Sequence, residues 1–554
     1  MSASDIALDA KPNVDPPKLL PESSWTEADE ARAKRKIDLS VLPLLCLGLL
    51  VFQFDRMNLA SALTDGFADQ AGIDQDTINL GNQLLFLGTV ALEIPSNMLL
   101  QKASKIGPRK WISSQVLLFG LVGTMQIFIR NKPGYIASRL CLGLAESGYI
   151  PGSIFTISTW YTKRERARRV AIFFFGMFGG NAISPLLASG ILKLGGTGGL
   201  KGWQWLFLIE GLFTFCVAGM FFFLLPGSPD MPKPLIGNGG PLVKFTDDDR
   251  HILVERLILD GNPPSAKSKS SSPKSQGMHI PLSVVWKTVK HHRRWPHFVS
   301  TFCVFSTWSP LTTYTPSIIM SFGFDRIEAN ALAAVGASLA PIIAFGFAWF
   351  SDHTNRRGLA VISAQLCYLV ALVVGRTVQP AVGTWGHWGL WTAINAFAVA
   401  YHPAHNTWLQ LNCHGAEERS ISIAMWVMSA NTGMMVGTWY YRANDKARKG
   451  VYSGSEVLVT PHSTYDTGLL TQIGMVAVGI AFALLQEGIY VVHNRRVEVA
   501  GQKATISSLE PRSSGANQTD KVGIQEKVFE DDGHAETGDG TSSKKEKVLV
   551  MYVP

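Results

Sequence analysis

Charge is scarce in this sequence: 17% of its 554 residues are Asp, Glu, Lys or Arg, against 47% that are hydrophobic. That balance excludes an ordinary soluble enzyme, which keeps about a quarter of its residues charged. Cysteine is sparse too. Cys46, Cys141, Cys216, Cys303, Cys367 and Cys413 show no Cys-x-x-Cys spacing, so they read as buried packing residues, neither a zinc site nor a disulfide framework. Gly195-Gly-Thr-Gly-Gly199 is glycine-rich but lacks the Gly-Lys-Ser/Thr of a phosphate loop, and is expected to be a flexible external turn. No nucleophile–base constellation, metal-ligand cluster or nucleotide loop is present, and the histidines lack ligand spacing. An enzyme is therefore not expected, nor is a cofactor or a metal. Residues 1–36 are polar and end in Arg32-Ala-Lys34-Arg35-Lys36, so no cleavable leader is expected and the first apolar block is expected to act as an uncleaved anchor.

What is present is a series of apolar blocks of about twenty residues, the length that crosses a hydrocarbon core about 30 Å thick. Twelve are legible, near 37–57, 80–100, 111–130, 135–160, 170–193, 203–225, 297–320, 329–350, 358–377, 387–410, 421–441 and 468–492. Lipid offers the backbone no hydrogen-bond partner, so blocks of this length must be helices. The fold expected is an all-α polytopic membrane protein of twelve transmembrane helices. Lys102, Lys105, Arg109 and Lys110 follow span 2 and Lys163, Arg164, Arg166, Arg168 and Arg169 follow span 4, whereas residues 58–79 carry Asp65, Asp69, Asp74 and Asp76 and no Lys or Arg. By the positive-inside rule both termini are cytosolic. Arg442, Lys446, Arg448 and Lys449 oppose that rule, since twelve spans put their loop outside. The net charge of +8 follows from these loops and does not imply a nucleic-acid partner.

Composition then divides the chain. A polar segment, 226–296, separates six spans from six, and its Ser/Lys/Pro-rich stretch from Pro263 to Gln276 reads as a cytosolic linker with no packed core. The expected parts are a cytosolic segment 1–36, a six-helix bundle 37–225, the linker 226–296, a second six-helix bundle 297–493 and a disordered cytosolic tail 494–554. Asn517-Gln-Thr519 in that tail should be unglycosylated.

Charges inside the spans carry the functional signal. Arg139 and Glu146 lie in span 4 seven positions apart, on one helix face and roughly 10 Å from each other. An ionised residue at the bilayer centre costs about 2.5–3.5 kcal/mol on insertion scales, so one retained there faces a watery cavity or a partner. A guanidinium in such a cavity fits a carboxylate or sulfonate through two bonds. The bland reading is that both charges pair with others and hold helices together. Arg56 supplies a second positive contact with Asp55 as its neutraliser, or the pair marks an external boundary. Glu93, two residues before Pro95, serves helix packing or proton uptake. In span 10 the seven- and eleven-residue spacings of Asn395, His402 and Asn406 put them on one face as a cavity stripe, with His405 to one side. His402 is a proton or ligand group or a buried neutral imidazole. Trp308, Tyr314 and Trp408 stack on an organic substrate or serve packing.

Several short motifs resemble the anion:cation symporter branch of the major facilitator superfamily, and within it the fungal allantoate permease family. They are Asp55-Arg56-Met-Asn58, Glu93-Ile-Pro95-Ser96-Asn97, Gly107-Pro108-Arg109-Lys-Trp111, the stretch Arg139 to Arg169, Gly202-Trp-Gln-Trp205-Leu-Phe-Leu-Ile-Glu210-Gly211, Tyr314-Thr-Pro316 and Asn412-Cys-His-Gly415-Ala-Glu-Glu-Arg419. The last departs from the family, which usually has a basic residue where this chain has Glu418. The resemblance implies two six-helix bundles rocking about a midplane site. Related vesicular glutamate and sialic acid transporters place a substrate arginine seven residues before a protonatable glutamate in helix 4, and that resemblance implies Arg139 as a substrate arginine and Glu146 as a proton-coupling group; Glu93 and Asp55 are further candidates by their own positions in the spans. The helix-2 histidine of those related transporters has Asn82 as its counterpart here. Ala348-Trp-Phe-Ser-Asp352-His-Thr-Asn-Arg356-Arg357 resembles the superfamily's latch loop, in which Asp352, Arg356 and Arg357, with Arg109 and Arg166, gate the cytosolic side or simply mark its boundary.

The function expected is secondary active transport: proton-coupled symport of a small organic anion or a sulfur oxyanion, by a monomer in the plasma membrane rather than an internal organelle. One alternative is an exporter of an organic acid or secondary metabolite. The other is a non-transporting nutrient receptor that signals through its tail.

Overall fold

The computed structural model describes residues 25–101, 107–236, 244–260, 282–378, 382–413, 416–442 and 466–509. The stretch Pro263 to Gln276, the basic residues Lys446, Arg448 and Lys449, and Asn517 lie outside the described residues.

Apolar blocks become helices as lipid requires. The first half contains α1 (Glu27–Ser40), α2 (Leu42–Thr64), α3 (Phe67–Gln70), α4 (Gln75–Gln101), α5 (Gly107–Met125), α6 (Lys132–Glu146), α7 (Tyr149–Trp160), α8 (Lys163–Ile191) and α9 (Gly202–Leu224). Two helices follow before the second half, α10 (Asp247–Leu259) and α11 (Leu282–Lys290). The second half contains α12 (Trp295–Ser306), α13 (Trp308–Ser321), α14 (Arg326–Thr354), α15 (Arg357–Val378), α16 (Thr384–Phe397), α17 (His402–Leu411), α18 (Ala416–Gly437) and α19 (Asp466–Leu509). Among the described residues the only β pairing is an isolated bridge, Ser228 with Met231.

Among the described residues eight segments are long and apolar enough to cross a membrane by length and composition: Glu27–Thr64, Gly107–Phe128, Lys132–Trp160, Arg168–Leu194, Gly202–Leu224, Arg326–Thr354, Arg357–Val378 and Asp466–Val499. The remaining predicted spans coincide with α4, the broken pairs α12–α13 and α16–α17, and α18. Three spans are thus discontinuous. α6 stops at Glu146 because Ser147 is extended and Gly148 takes φ +84°, a conformation that favours glycine. Polar partners from α4 and α5 meet this break: the Ser147 carbonyl accepts from Gln115, and the Ser147 hydroxyl donates to the Thr89 carbonyl at 3.0 Å.

The helices approach closely where a side chain is missing. A Cβ on Gly143 of α6 would stand 2.1 Å from the Leu85 carbonyl oxygen of α4, and one on Gly437 of α18 would stand 1.7 Å from the Ser306 carbonyl oxygen. Glycine at such positions lets two backbones touch, which drives helix association where lipid removes the hydrophobic incentive. Across the halves, α2 packs on α13, α4 on α18 and α8 on α14.

The polar segment between the halves is built more than its composition suggests. Thr246 and Asp249 form a capping box at the start of α10, which packs on α1 and buries Ile252, Leu253 and Leu257. Arg256, 5% exposed, bonds to Glu165 at 3.1 Å and to the Trp160 carbonyl at 3.2 Å. Burial disfavours the Asp249 charge, but bonds from Lys36 and Thr246 outweigh it and hold that carboxyl below the ordinary aspartate range. In the second half Glu418, the residue that departs from the family pattern, pairs with the buried Arg294. Arg294 also donates to the Asn412 carbonyl at 2.8 Å. The departure therefore has a partner in the same bundle.

Candidate functional site

The candidate site lies where α2, α4 and α6 of the first half meet α13 of the second. Arg139 projects from α6 and is 3% exposed. Its Nη2 donates to Asn82 Oδ1 at 2.7 Å, while Nε and Nη1 have no hydrogen-bond partner among the described residues. An unsatisfied buried guanidinium is costly, which is the ordinary mark of a group waiting for an anion. Asn82 does more than hold the arginine, because its Nδ2 donates across the interface to Thr313 Oγ1 at 3.1 Å.

Arg56 does not pair with its chain neighbour. Its Nε donates to Glu146 Oε2 at 2.7 Å, and its guanidinium stands 4.5 Å from the centre of the Phe52 ring and 5.7 Å from that of Phe86. The expected Asp55–Arg56 neutralisation is therefore corrected. Consecutive residues leave a helix about 100° apart, so Asp55 faces α5, where a Cβ on Gly123 would meet its Oδ1 at 2.7 Å. Both Asp55 oxygens are enclosed without a hydrogen-bond partner among the described residues, and Glu210 on α9 is likewise enclosed, with Ser184 and Asn58 beside it. Glu210 went unassigned in the sequence; its position in an apolar span was the available signal. Glu93 is half-buried on α4 with one enclosed, unpartnered oxygen.

Two adjoining cavities open between the halves. One, of ≈ 570 Å³ with part of that space open to solvent, is lined by Arg56, Arg139, Asn82, Gln53, Thr312, Thr313 and the apolar Phe52, Met57, Leu85, Phe86, Ile150, Met177, Trp308 and Met434. The other, of ≈ 550 Å³ on the same measure, is lined by Phe178, Asn181, Pro185, Leu311, Thr315, Pro316, Ala333, Ala337, Ala340, Asn395 and Val399. Met57, Trp308 and Thr312 belong to both.

The proposed stripe on span 10 is not assembled. The span breaks between Phe397 and His402, so the seven- and eleven-residue spacings do not fix a common face. Asn395 stays at a cavity wall, where it accepts from Thr315 at 3.1 Å and donates to the Trp391 carbonyl at 2.9 Å. His402 instead packs edge-on against Trp426, ring centres 4.6 Å apart, and Asn406 accepts from Gln410 one turn along α17. His405 and Trp408 join a buried cluster: His405 and His297 are 3.0 Å apart through their ring nitrogens, and Trp408 stands 4.5 Å from the His297 ring. Tyr314 is at the interface, donating to Asn79 Oδ1 at 2.6 Å.

The residues assigned to a latch make their contacts within one half or with the segment that follows it. Asp352 pairs with Arg357 of its own loop. Arg166 donates to the carbonyls of Tyr161 and Ser158 at 3.0 and 2.9 Å, and Arg109 to that of Lys233. Arg356 has Glu487 of α19 as an electrostatic neighbour. The two halves are joined instead at the opposite end, by Arg326 with Asp65, Asn330 with Thr64 at 2.8 Å, and Gln75 and Asn79 to the Tyr441 carbonyl at 3.0 Å each. In the sequence Asp65 is visible only as a topology marker, since an ion pair spanning 261 residues leaves no local pattern.

A single substitution should loosen the contacts at that end. Asp65 also accepts from the Trp203 backbone N–H at 2.8 Å, so Arg326→Gln removes the bond between halves and spares the bond within one. Arg326 is substantially exposed, and the loss is expected to be about 1 kcal/mol. In a background without the six native cysteines, a Thr313→Cys reporter should then react severalfold faster with an impermeant maleimide added from the Asp65 side. An unchanged rate would show that this contact does not hold that end closed.

Comparison with known proteins agrees with this architecture. The model of the Major Facilitator Superfamily matches residues 45–438. The chain is 26% identical over 429 residues to the uncharacterized transporter YIL166C of Saccharomyces cerevisiae, covering 77% of each chain. It is 28% identical over 351 residues to a putative tartrate transporter of Agrobacterium vitis, covering 62% of this chain and 73% of that one. In fold it resembles the crystal structure of a bacterial homologue of the human lysosomal transporter Spinster in an inward-facing and occupied conformation. The TM-score is 0.56 at 15% identity, covering 81% of this chain and 97% of that chain.

Proposed function

Since the chain belongs to the major facilitator superfamily and is thus a multi-pass membrane transporter, we propose that it carries a small organic anion together with protons, as a member of the anion:cation symporter branch. Arg139 carries this reading: it is an enclosed guanidinium with two unsatisfied nitrogens, at the wall of a cavity between the halves. A bound carboxylate would satisfy those nitrogens and compete with Asn82 for the arginine. Because Asn82 also bonds Thr313 in the other half, occupancy would be felt at the interface that must open and close. Glu146 is the proton-coupling group of this proposal. A proton on it would release Arg56, and its loss would restore the pair seen here. With the basic loops on the cytosolic side, the end closed by Arg326 and Asp65 faces outward and the cavity serves the cytosol.

Reconstitution tests the proposal. The purified protein in liposomes should accumulate labelled organic anions, with allantoate, nicotinate, pantothenate, tartrate and sulfate as the first panel. The rate should rise when the outside is made acidic and fall when a protonophore dissipates the gradient. Uptake no faster than in empty liposomes, for every anion and gradient, would overturn it.

A further inference from the structure

The two adjoining cavities differ in kind. Arg56 and Arg139 line one of them; Glu146 pairs with Arg56 at 2.7 Å, so Arg139 is the lining guanidinium that makes no ion pair among the described residues. Among the described residues no carboxylate lines either cavity, and the wall of the second carries no charged residue. Both of its amide oxygens already accept a hydrogen bond. Asn395 bonds Thr315 and Trp391, and Asn181 accepts from Gln53 at 2.7 Å. Ala333, Ala337 and Ala340, at spacings of four and three on α14, leave the room that larger side chains would fill. Trp308 stands between the two spaces with an aromatic face.

We propose that the substrate is an amphipathic monoanion: one acidic group on Arg139 and an uncharged, largely apolar body that passes Met57 and Trp308 into the space beside Ala337. This rests on the placement of the anion at Arg139 proposed above, and adds the substrate class. While Glu146 holds Arg56, a dianion would bring a second charge into a site with one unpaired cation among the described residues, leaving that charge desolvated without a partner. A tetrahedral oxyanion would occupy the Arg139 end and leave the apolar space unfilled, forgoing the contacts that make a closed pocket bind. An organic acid with a ring or short chain satisfies both ends.

The test uses the full chain in lipid nanodiscs and five probes: 4-phenylbutanoate, its uncharged amide, propanoate, L-tartrate and sulfate. Thermal stabilisation and equilibrium binding should rank 4-phenylbutanoate first, about tenfold or more tighter than propanoate, with no response to the amide. Ala337→Leu should lower the preference for 4-phenylbutanoate over propanoate about tenfold by filling the space, and Trp308→Ala should lower it by removing the stacking face. The propanoate response reports that each variant is folded, and if one variant loses it the other decides. Tartrate or sulfate binding more tightly than 4-phenylbutanoate would overturn the proposal, as would an unchanged preference in the folded variants. Arg139→Gln separates the two readings. If it abolishes propanoate binding while Ala337→Leu leaves the preference intact, the substrate class fails and the anion site stands. If it leaves every acid bound as before, the anion site fails, and this substrate class with it.

Discussion

Arg139→Ala should abolish anion transport while leaving a folded protein in the membrane. The guanidinium is 3% exposed and makes one hydrogen bond, to Asn82, so little of the bundle depends on it. Its removal leaves Asn82 still bonded to Thr313. For the anion the loss is large, because the other guanidinium at the cavity wall is occupied by Glu146. Truncating one partner of a buried charged contact costs about 2–5 kcal/mol, roughly 30- to 3,000-fold in affinity. Arg139→Lys should recover part of the uptake, since it keeps the charge and loses the two-pronged geometry. Initial rates in liposomes at matched protein density read the effect, with melting temperature as the folding control. Wild-type rates in the alanine variant would remove Arg139 from the site.

Glu146→Gln should uncouple anion movement from protons. Glutamine preserves shape but cannot bind and release a proton, so uptake should no longer respond to a pH gradient, while exchange of internal for external anion continues. The same change strips Arg56 of its counter-charge. The Glu146 side chain is fully enclosed and that of Arg56 is 16% exposed, so breaking the pair should cost stability on the order of 3 kcal/mol. It also places a second free cation at the cavity, and the variant should accept tartrate better relative to monoanions than the wild type does. Counterflow and gradient-driven uptake, measured on the same liposomes, separate these effects. Gradient stimulation that persists in the variant would exclude Glu146 as the coupling residue.

Much of this site was readable before any fold was known, and the reason is local. Arg139 and Glu146 announce themselves because a charge in an apolar block is expensive wherever the block ends up. Both fall on α6, whose last residue is Glu146, so their relation along one helix face survives the break that follows. The same periodicity misled at span 10. Its spacing implied a stripe of Asn395, His402 and Asn406, but the helix stops at Phe397 and restarts at His402. Nothing in the apolar pattern marks that interruption, because both pieces remain apolar. Asp55 and Arg56 show a third case: adjacency suggested a pair, and helix geometry sent them to different neighbours.

The sequence by itself determined that this chain is a bundle of membrane helices with a few enclosed charges, since hydrocarbon permits no other backbone and tolerates charges only where a cavity or partner receives them. Tertiary structure decided the pairings: Arg56 with Glu146, Arg139 with Asn82, Arg326 with Asp65 across the two halves. It also decided that α10 docks on α1, and that Trp308 stands between a charged space and an apolar one. Those choices depend on which helix faces meet, and contacts between residues tens to hundreds of positions apart leave no local trace in the order of the amino acids.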